Sequence, residues 1–175
     1  MTSLLQHIKD GLKKRFRGSS KNKEQVMLTN DDNEVIEWND TIPFVPPVKG
    51  GMVIKVYDGD TITVASKIPI PNCPLYRFSV RLNGIDCPEK RTKNISEKET
   101  ALLAQKRVAE LILNKRVVLQ GVQLEKYGRL LARVYIGDIC INDLLVNERL
   151  ALAYDGGTKK VPADWMKYYK TGAME

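Results

Sequence analysis

The sequence predicts an α+β domain: a small closed β-barrel of five short strands capped by three helices, behind a basic and linker-like N-terminal extension. Three observations predict it. Between Met52 and Ile136, five runs rich in β-branched residues are separated by turn-forming residues. Helical spacing takes over after the third run and again after the fifth. Five short strands cannot all lie flat with one covered face, so closure with helices over the barrel is the arrangement that buries them.

Taken in order, residues 4–16 place Leu5, Ile8, Leu12 and Phe16 at helical spacing among Lys9, Lys13, Lys14 and Arg15. This predicts a short basic amphipathic helix, weakened by Gly11, suited to an anionic membrane surface or a partner; a frayed solvated tail is the alternative. Residues 17–34 read as polar linker. Trp38 and Phe44, in a proline-rich stretch, are expected to form an extended arm docked on the main domain, with Gly50-Gly51 as the hinge. The organisation is thus 1–23 basic segment, 24–50 acidic and proline-rich arm, 51–175 main domain.

Met52–Val56 and Thr61–Ala65 form a hairpin around Asp58-Gly59. Tyr76–Leu82 alternates as a third strand after the proline-rich loop 67–74. Ser96 and Glu99 have capping-box spacing for a helix whose apolar face carries Ala101, Leu102, Ala104, Val108, Leu111 and Ile112. Val117–Gln120 and Leu130–Ile136 flank Glu125-Lys126-Tyr127-Gly128. A second helix is expected near 142–148, and a third starting at Pro162.

Net charge is +7. Residues 1–23 hold seven Lys/Arg against one acid, residues 24–47 hold six acids and no Lys/Arg, so the excess belongs to the main domain. A polyanionic partner is compatible with that balance. His7 is the only histidine, which excludes Ser-His and Cys-His mechanisms from the main domain. Cys73, Cys87 and Cys140 have neither disulfide nor zinc spacing. No secretory signal is visible and no apolar run reaches the ~20 residues of a membrane helix. The expectation is an intracellular or virion-enclosed monomer, with peripheral membrane or protein contact through the N-terminal helix left open.

The chemistry gathers in Arg81-Leu82-Asn83-Gly84-Ile85-Asp86-Cys87-Pro88-Glu89. Arg81 and Asp86 are five apart, so on one strand they would not share a face; a turn has to bring them together. Asp58-Gly59-Asp60 puts two more carboxylates on the first hairpin. Asp60 with Asp86 would offer hard oxygens to Ca²⁺ or Mg²⁺. Glu89 is then free to orient or deprotonate a water, while Arg81 and Arg129 can hold one phosphate from two sides. Each piece alone also has a bland reading: Asp-Gly-Asp as a turn, Arg81 with its acids as a surface pair, Glu125–Arg129 as a basic hairpin tip.

Residues 53–61, 80–89 and 126–135, in this order, resemble the staphylococcal nuclease (thermonuclease-like) family. The likeness runs from about Met52 to Tyr154. It implies an OB-fold barrel with three helices and a Ca²⁺-dependent endonuclease that hydrolyses DNA and RNA with little sequence specificity; another divalent cation stays open. Carried over by position, it implies metal ligands Asp60, Asp86 and the Cys87 backbone carbonyl, and catalytic Arg81, Glu89 and Arg129. It further implies substrate contacts at Lys126, Tyr127 and Tyr154. Cys87 stands where the best-known member has threonine, and the 67–74 loop is longer than in the compact form. A nucleic-acid-binding or scaffold module that does not cut is the competing reading, which the retained acids disfavour. Trp165, Tyr168 and Tyr169 read as packing, Arg133 as the partner of a surface acid, and Lys159-Lys160 as a solvated turn.

Overall fold

The computed structural model describes residues 37–175, and the chain divides into two units, Met1–Thr41 and Ile42–Glu175. The expected helix 4–16 and linker 17–34 lie outside the described residues. The described end of the first unit is one 3-10 turn, Trp38–Asp40.

The second unit is a closed mixed barrel of five strands with three helices. Its strands are β1 (Gly50–Val56), β2 (Thr61–Ser66), β3 (Tyr76–Leu82), β5 (Arg116–Leu124) and β6 (Leu130–Ile136). Two-residue strands β4 (Ile85–Asp86), β7 (Ile139–Cys140) and β8 (Leu152–Ala153) add local pairings. The helices are α1 (Ile95–Ile112), α2 (Ile141–Asn147) and α3 (Trp165–Thr171). Hydrogen bonding runs β3-β2-β1-β5-β6, and β3 pairs with β6 to shut the cylinder. That last pairing is parallel, with Val80 opposite Leu130 and Leu82 opposite Ala132; the other barrel pairings are antiparallel.

Inward residues alternate along the strands, as a closed sheet requires. Val53, Ile62, Val64, Val80, Leu82, Ala132 and Val134 are fully buried, and Ala104, Val108 and Ile112 of α1 close over them. Leu102, expected on the apolar face of α1, is half exposed, and Thr100 is buried instead, donating its hydroxyl to the Ser96 carbonyl. The core also buries one amide, Asn142, at the start of α2. Its Oδ1 accepts from Val134 N at 2.9 Å and its Nδ2 donates to the Asn83 carbonyl at 2.7 Å. One side chain therefore ties β6 to the turn after β3.

Several local expectations are corrected. Asn94, not Ser96, caps α1, accepting from Glu97 N at 3.2 Å. Ser96 Oγ instead accepts from Met166 N at 2.9 Å and donates to Asp164, tying α1 to α3. Asp164 is the cap of α3, so that helix begins at Trp165, not at Pro162. Gly50-Gly51 is no hinge: both lie in β1, and a Cβ at Gly50 would sit 2.1 Å from the Val117 carbonyl oxygen. Phe44 is 70% exposed, while Val48 takes the buried place expected of it. Trp165 is buried with Tyr168 edge-on to it, and Arg133 pairs with Asp143, as the sequence suggested.

Replacing Asn142 by Ala leaves buried Val134 N and the Asn83 carbonyl without their partner. We expect about 2–4 kcal/mol of lost stability in urea denaturation, against about 0.5 kcal/mol or less for the exposed control Asn147→Ala.

Candidate active site

The β1–β2 turn is held shut by Tyr57 N and Asp58 N, which both donate to the Thr61 carbonyl. Gly59 at its tip has no room for a side chain: a Cβ would lie 2.8 Å from both Ala104 Cβ and Cys87 Sγ. Glycine thus lets the hairpin press onto α1 and onto the segment after β4. Asp60 is carried into the interior by this approach and is 4% exposed. Its Oδ1 accepts from Thr61 Oγ1 at 3.0 Å, and its Oδ2 from Cys87 N at 3.3 Å.

Thr61 pairs with Arg81 across β2–β3, which sets the guanidinium beside Asp60. The tight turn at Gly84, whose φ of +80° suits glycine, reverses the chain into β4. The reversal does what the five-residue spacing required. Arg81 Nη1 lies 2.7 Å from Asp60 Oδ2, and Nη2 lies 2.8 Å from Asp86 Oδ1. One guanidinium therefore spans two buried carboxylates. Burial opposes its charge, but Asp60 and Asp86 outweigh that and hold its pKa above the usual arginine value.

Asp60 is pushed the other way. Burial outweighs the attraction of Arg81, and its carboxyl rises from 3.8 to about 6, with Asp58 adding to the rise. Cys87 is buried against Gly59, and burial followed by the repulsion of Asp60 raises its thiol well above the usual value. Its sulfur is thus packed and protonated. Glu89 is exposed, and its backbone N donates to Glu97 Oε1 at 3.2 Å.

Arg129 comes from the β5–β6 turn, whose Gly128 N donates to the Glu125 carbonyl. Its Nε and Nη2 form a two-pronged pair with Glu125 at 2.6 and 2.7 Å. That hydrogen bonding lowers the Glu125 carboxyl and raises Arg129. Lys126 Nζ stands 4.9 Å over the Tyr127 ring, which is 73% exposed. Tyr154 follows β8, its N donating to the Gly84 carbonyl at 2.9 Å and its hydroxyl to the Gly157 carbonyl at 3.1 Å.

A cleft of about 520 Å³ is lined by Asp60, Arg81, Cys87, Glu89, Lys126, Tyr127, Arg129 and Tyr154. Of the residues singled out from sequence, only Asp86 is not on its wall; it lies behind Arg81, 5% exposed. A larger hollow, about 650 Å³, shares no residue with this cleft and is lined by α1, the end of α2 and α3, with the Arg107–Glu148 pair inside it. It gathers none of the sequence-singled acids, so the smaller cleft is the candidate site. Sequence reading missed three of its members. Glu125, in a motif read only for its cations, holds Arg129; Tyr57 lines the wall beside Asp58. Lys159 is no solvated turn: its Nζ reaches Asp86 Oδ2 at 2.9 Å.

The donor chemistry suits a hard cation. Asp60 and Asp86 are buried carboxylates one guanidinium apart, and the raised Asp60 acid marks a place short of positive charge. Among the described residues, no three His, Cys, Asp or Glu side chains form a metal cage, so a cation held here would take its other oxygens from backbone, water or substrate.

Residues 79–173 match the family model described as staphylococcal nuclease homologue. The SPbeta prophage-derived endonuclease YokF of Bacillus subtilis (strain 168) is 32% identical over 113 residues, 61% of this chain and 36% of that protein. Endonuclease YncB of the same organism is 33% identical over 113 residues, 61% of this chain and 50% of that protein. An uncharacterized endonuclease of Escherichia coli O157:H7 is 30% identical over 106 residues, 60% of this chain and 61% of that protein. The chain thus matches between about a third and three-fifths of the length of these relatives. Asp60 precedes the family match and is joined to it by the β2–β3 pairing.

Because Asp60 holds its proton more tightly folded than unfolded, its contribution to stability falls as pH rises from 3.8 through about 6. Asp60→Asn removes that loss. In chelator, we expect the variant to be more stable than the parent by up to about 3 kcal/mol at pH 8, with the difference vanishing below pH 4, in urea titrations across that range.

Proposed function

The chain belongs to the staphylococcal nuclease homologue family, and from this and its cleft we propose that it is a metal-dependent endonuclease acting on DNA, RNA or both with little sequence specificity. One observation carries the reading: residues from four separated stretches, 57–60, 81–89, 125–129 and 154–159, line one cleft in which acids, two arginines and exposed aromatics stand together. A groove that only bound polyanion would gain nothing from buried acids beside its arginines.

Asp60, Asp86 and the Cys87 carbonyl would hold Ca²⁺ or another hard cation, which when bound supplies Lewis-acid polarisation of a phosphoryl oxygen. Glu89, exposed at the cleft mouth, accepts a proton from the attacking water at a carboxylate oxygen. Arg81, fixed by its two carboxylates, presents the rest of its fork to the phosphate. Arg129, aligned by Glu125, meets the same phosphate from the opposite strand end; substrate competes with Glu125 for it. Lys126 contacts a neighbouring phosphate, and Tyr127 and Tyr154 offer ring faces to bases. Since the groups read backbone and stacking surface, not base edges, discrimination among sequences is weak.

Circular single-stranded DNA tests the reading directly, because only internal cleavage opens it. Ca²⁺ or a related divalent cation should produce linear and then shorter fragments, and chelator should abolish them. Binding without cleavage under every cation would instead assign a silent nucleic-acid module.

Glu89→Gln should lower kcat by roughly 10²–10⁴-fold with the urea midpoint unchanged. Arg81→Lys should lose most activity as well, since one ammonium can neither span Asp60 and Asp86 nor fork onto phosphate. Steady-state rates of the two purified variants check both.

A further inference from the structure

Lys159 sits in an irregular segment between β8 and α3. Gly157 N donates to Asp155 Oδ1 at 2.9 Å and the Tyr154 hydroxyl donates to the Gly157 carbonyl at 3.1 Å. These bonds fold residues 154–157 into a tight turn that sends the chain back toward the acids. Lys159 Nζ then lies 2.9 Å from Asp86 Oδ2, 3.8 Å from Glu89 Oε1 and 5.9 Å from the Tyr154 ring centre. Asp86 has two oxygens. Arg81 takes Oδ1, and Lys159, itself on the cleft wall, takes Oδ2. The two differ in mobility: the Arg81 side chain is 17% exposed and pinned twice, while that of Lys159 is 44% exposed on a flexible stem.

We propose that Lys159 is a built-in counter-ion: it occupies the second oxygen of Asp86, Oδ2, while no divalent cation is held by that carboxylate, and it swings out when one binds. A metal cation and an ammonium cannot share Asp86 Oδ2 at close range without strong repulsion, so the ammonium must yield. Its release leaves a mobile positive charge beside Tyr154 at the cleft mouth, where a substrate phosphate can pair with it. Metal affinity is then set partly by competition from the chain itself, and cation and nucleic acid bind with mutual support. The proposal rests on the cation reading given above.

Calcium binding to the full chain by isothermal titration calorimetry, with no substrate present, tests it. Lys159→Met keeps the stem and removes the charge. It should tighten Ca²⁺ binding roughly three- to tenfold, the worth of one partly exposed ion pair. Lys159→Arg should stay within about twofold of the parent, because the charge remains, and Lys160→Met controls for the same change in net charge. A Lys159→Met affinity no tighter than that of Lys160→Met overturns the counter-ion role while leaving the cation reading intact. Absence of Ca²⁺ binding in the parent and all variants, with Mg²⁺ and Mn²⁺ also silent, overturns the cation reading and this proposal with it.

Discussion

The parallel pairing of β3 with β6 is the constraint on which the molecule depends. Five short strands leave two edges until that pair forms, and each edge would expose a row of unpaired backbone groups. Closure removes both. It also fixes chemistry, because Arg81 pairs opposite Leu131 and Arg129 directly precedes β6. The two guanidiniums are neighbours only because the barrel is shut in this register. Asn142 reinforces the join from below, binding the backbone of β6 and of the turn after β3 with one amide. A buried amide in a core built mostly of Val, Ile, Leu and Ala is tolerated because both ends of that amide are satisfied.

The site above this join is electrostatically unfinished. Two acids are buried, one guanidinium serves both, and Asp60 is still held far above its ordinary pKa. Such an arrangement costs folding free energy and is retained where chemistry needs it. The rest of the domain offsets the cost with interlocked packing. Gly59 lets Asp60 approach, Ala104 and Cys87 press against that glycine, and α1 brings Ala104 with it. Function and stability thus meet at one contact, since widening it would lower the acid's burial and loosen the helix together.

Much of this was legible from residues. Tyr76–Leu82 was readable to the residue from its apolar-polar alternation, and Leu130–Ile136 from its apolar run after the Gly128 turn. That the singled-out residues would meet at one cleft was readable because charge on short, rigid turns has few places to go. What escaped was long-range or locally ambiguous. Ser96 has capping spacing, yet its hydroxyl is claimed by Met166 N and Asp164, which no local pattern reveals. Gly50-Gly51 reads as a hinge in sequence but answers to carbonyls across two neighbouring strands. Lys159 lies 73 residues beyond Asp86. β4 and β8 are each two residues long, too short for periodicity to show, so the pairing that brings those ends together was invisible.

That small pairing of β4 with β8 has a consequence in time. Asp86 is registered opposite Leu152, and the segment that follows supplies the last wall of the cleft. Asp60, Arg81 and Arg129 all leave the ribosome earlier, since chains emerge N-terminus first. A chain still under synthesis therefore holds acids and arginines but no closed cleft. Completion waits until the segment after β8, with Tyr154 and Lys159, has emerged as well.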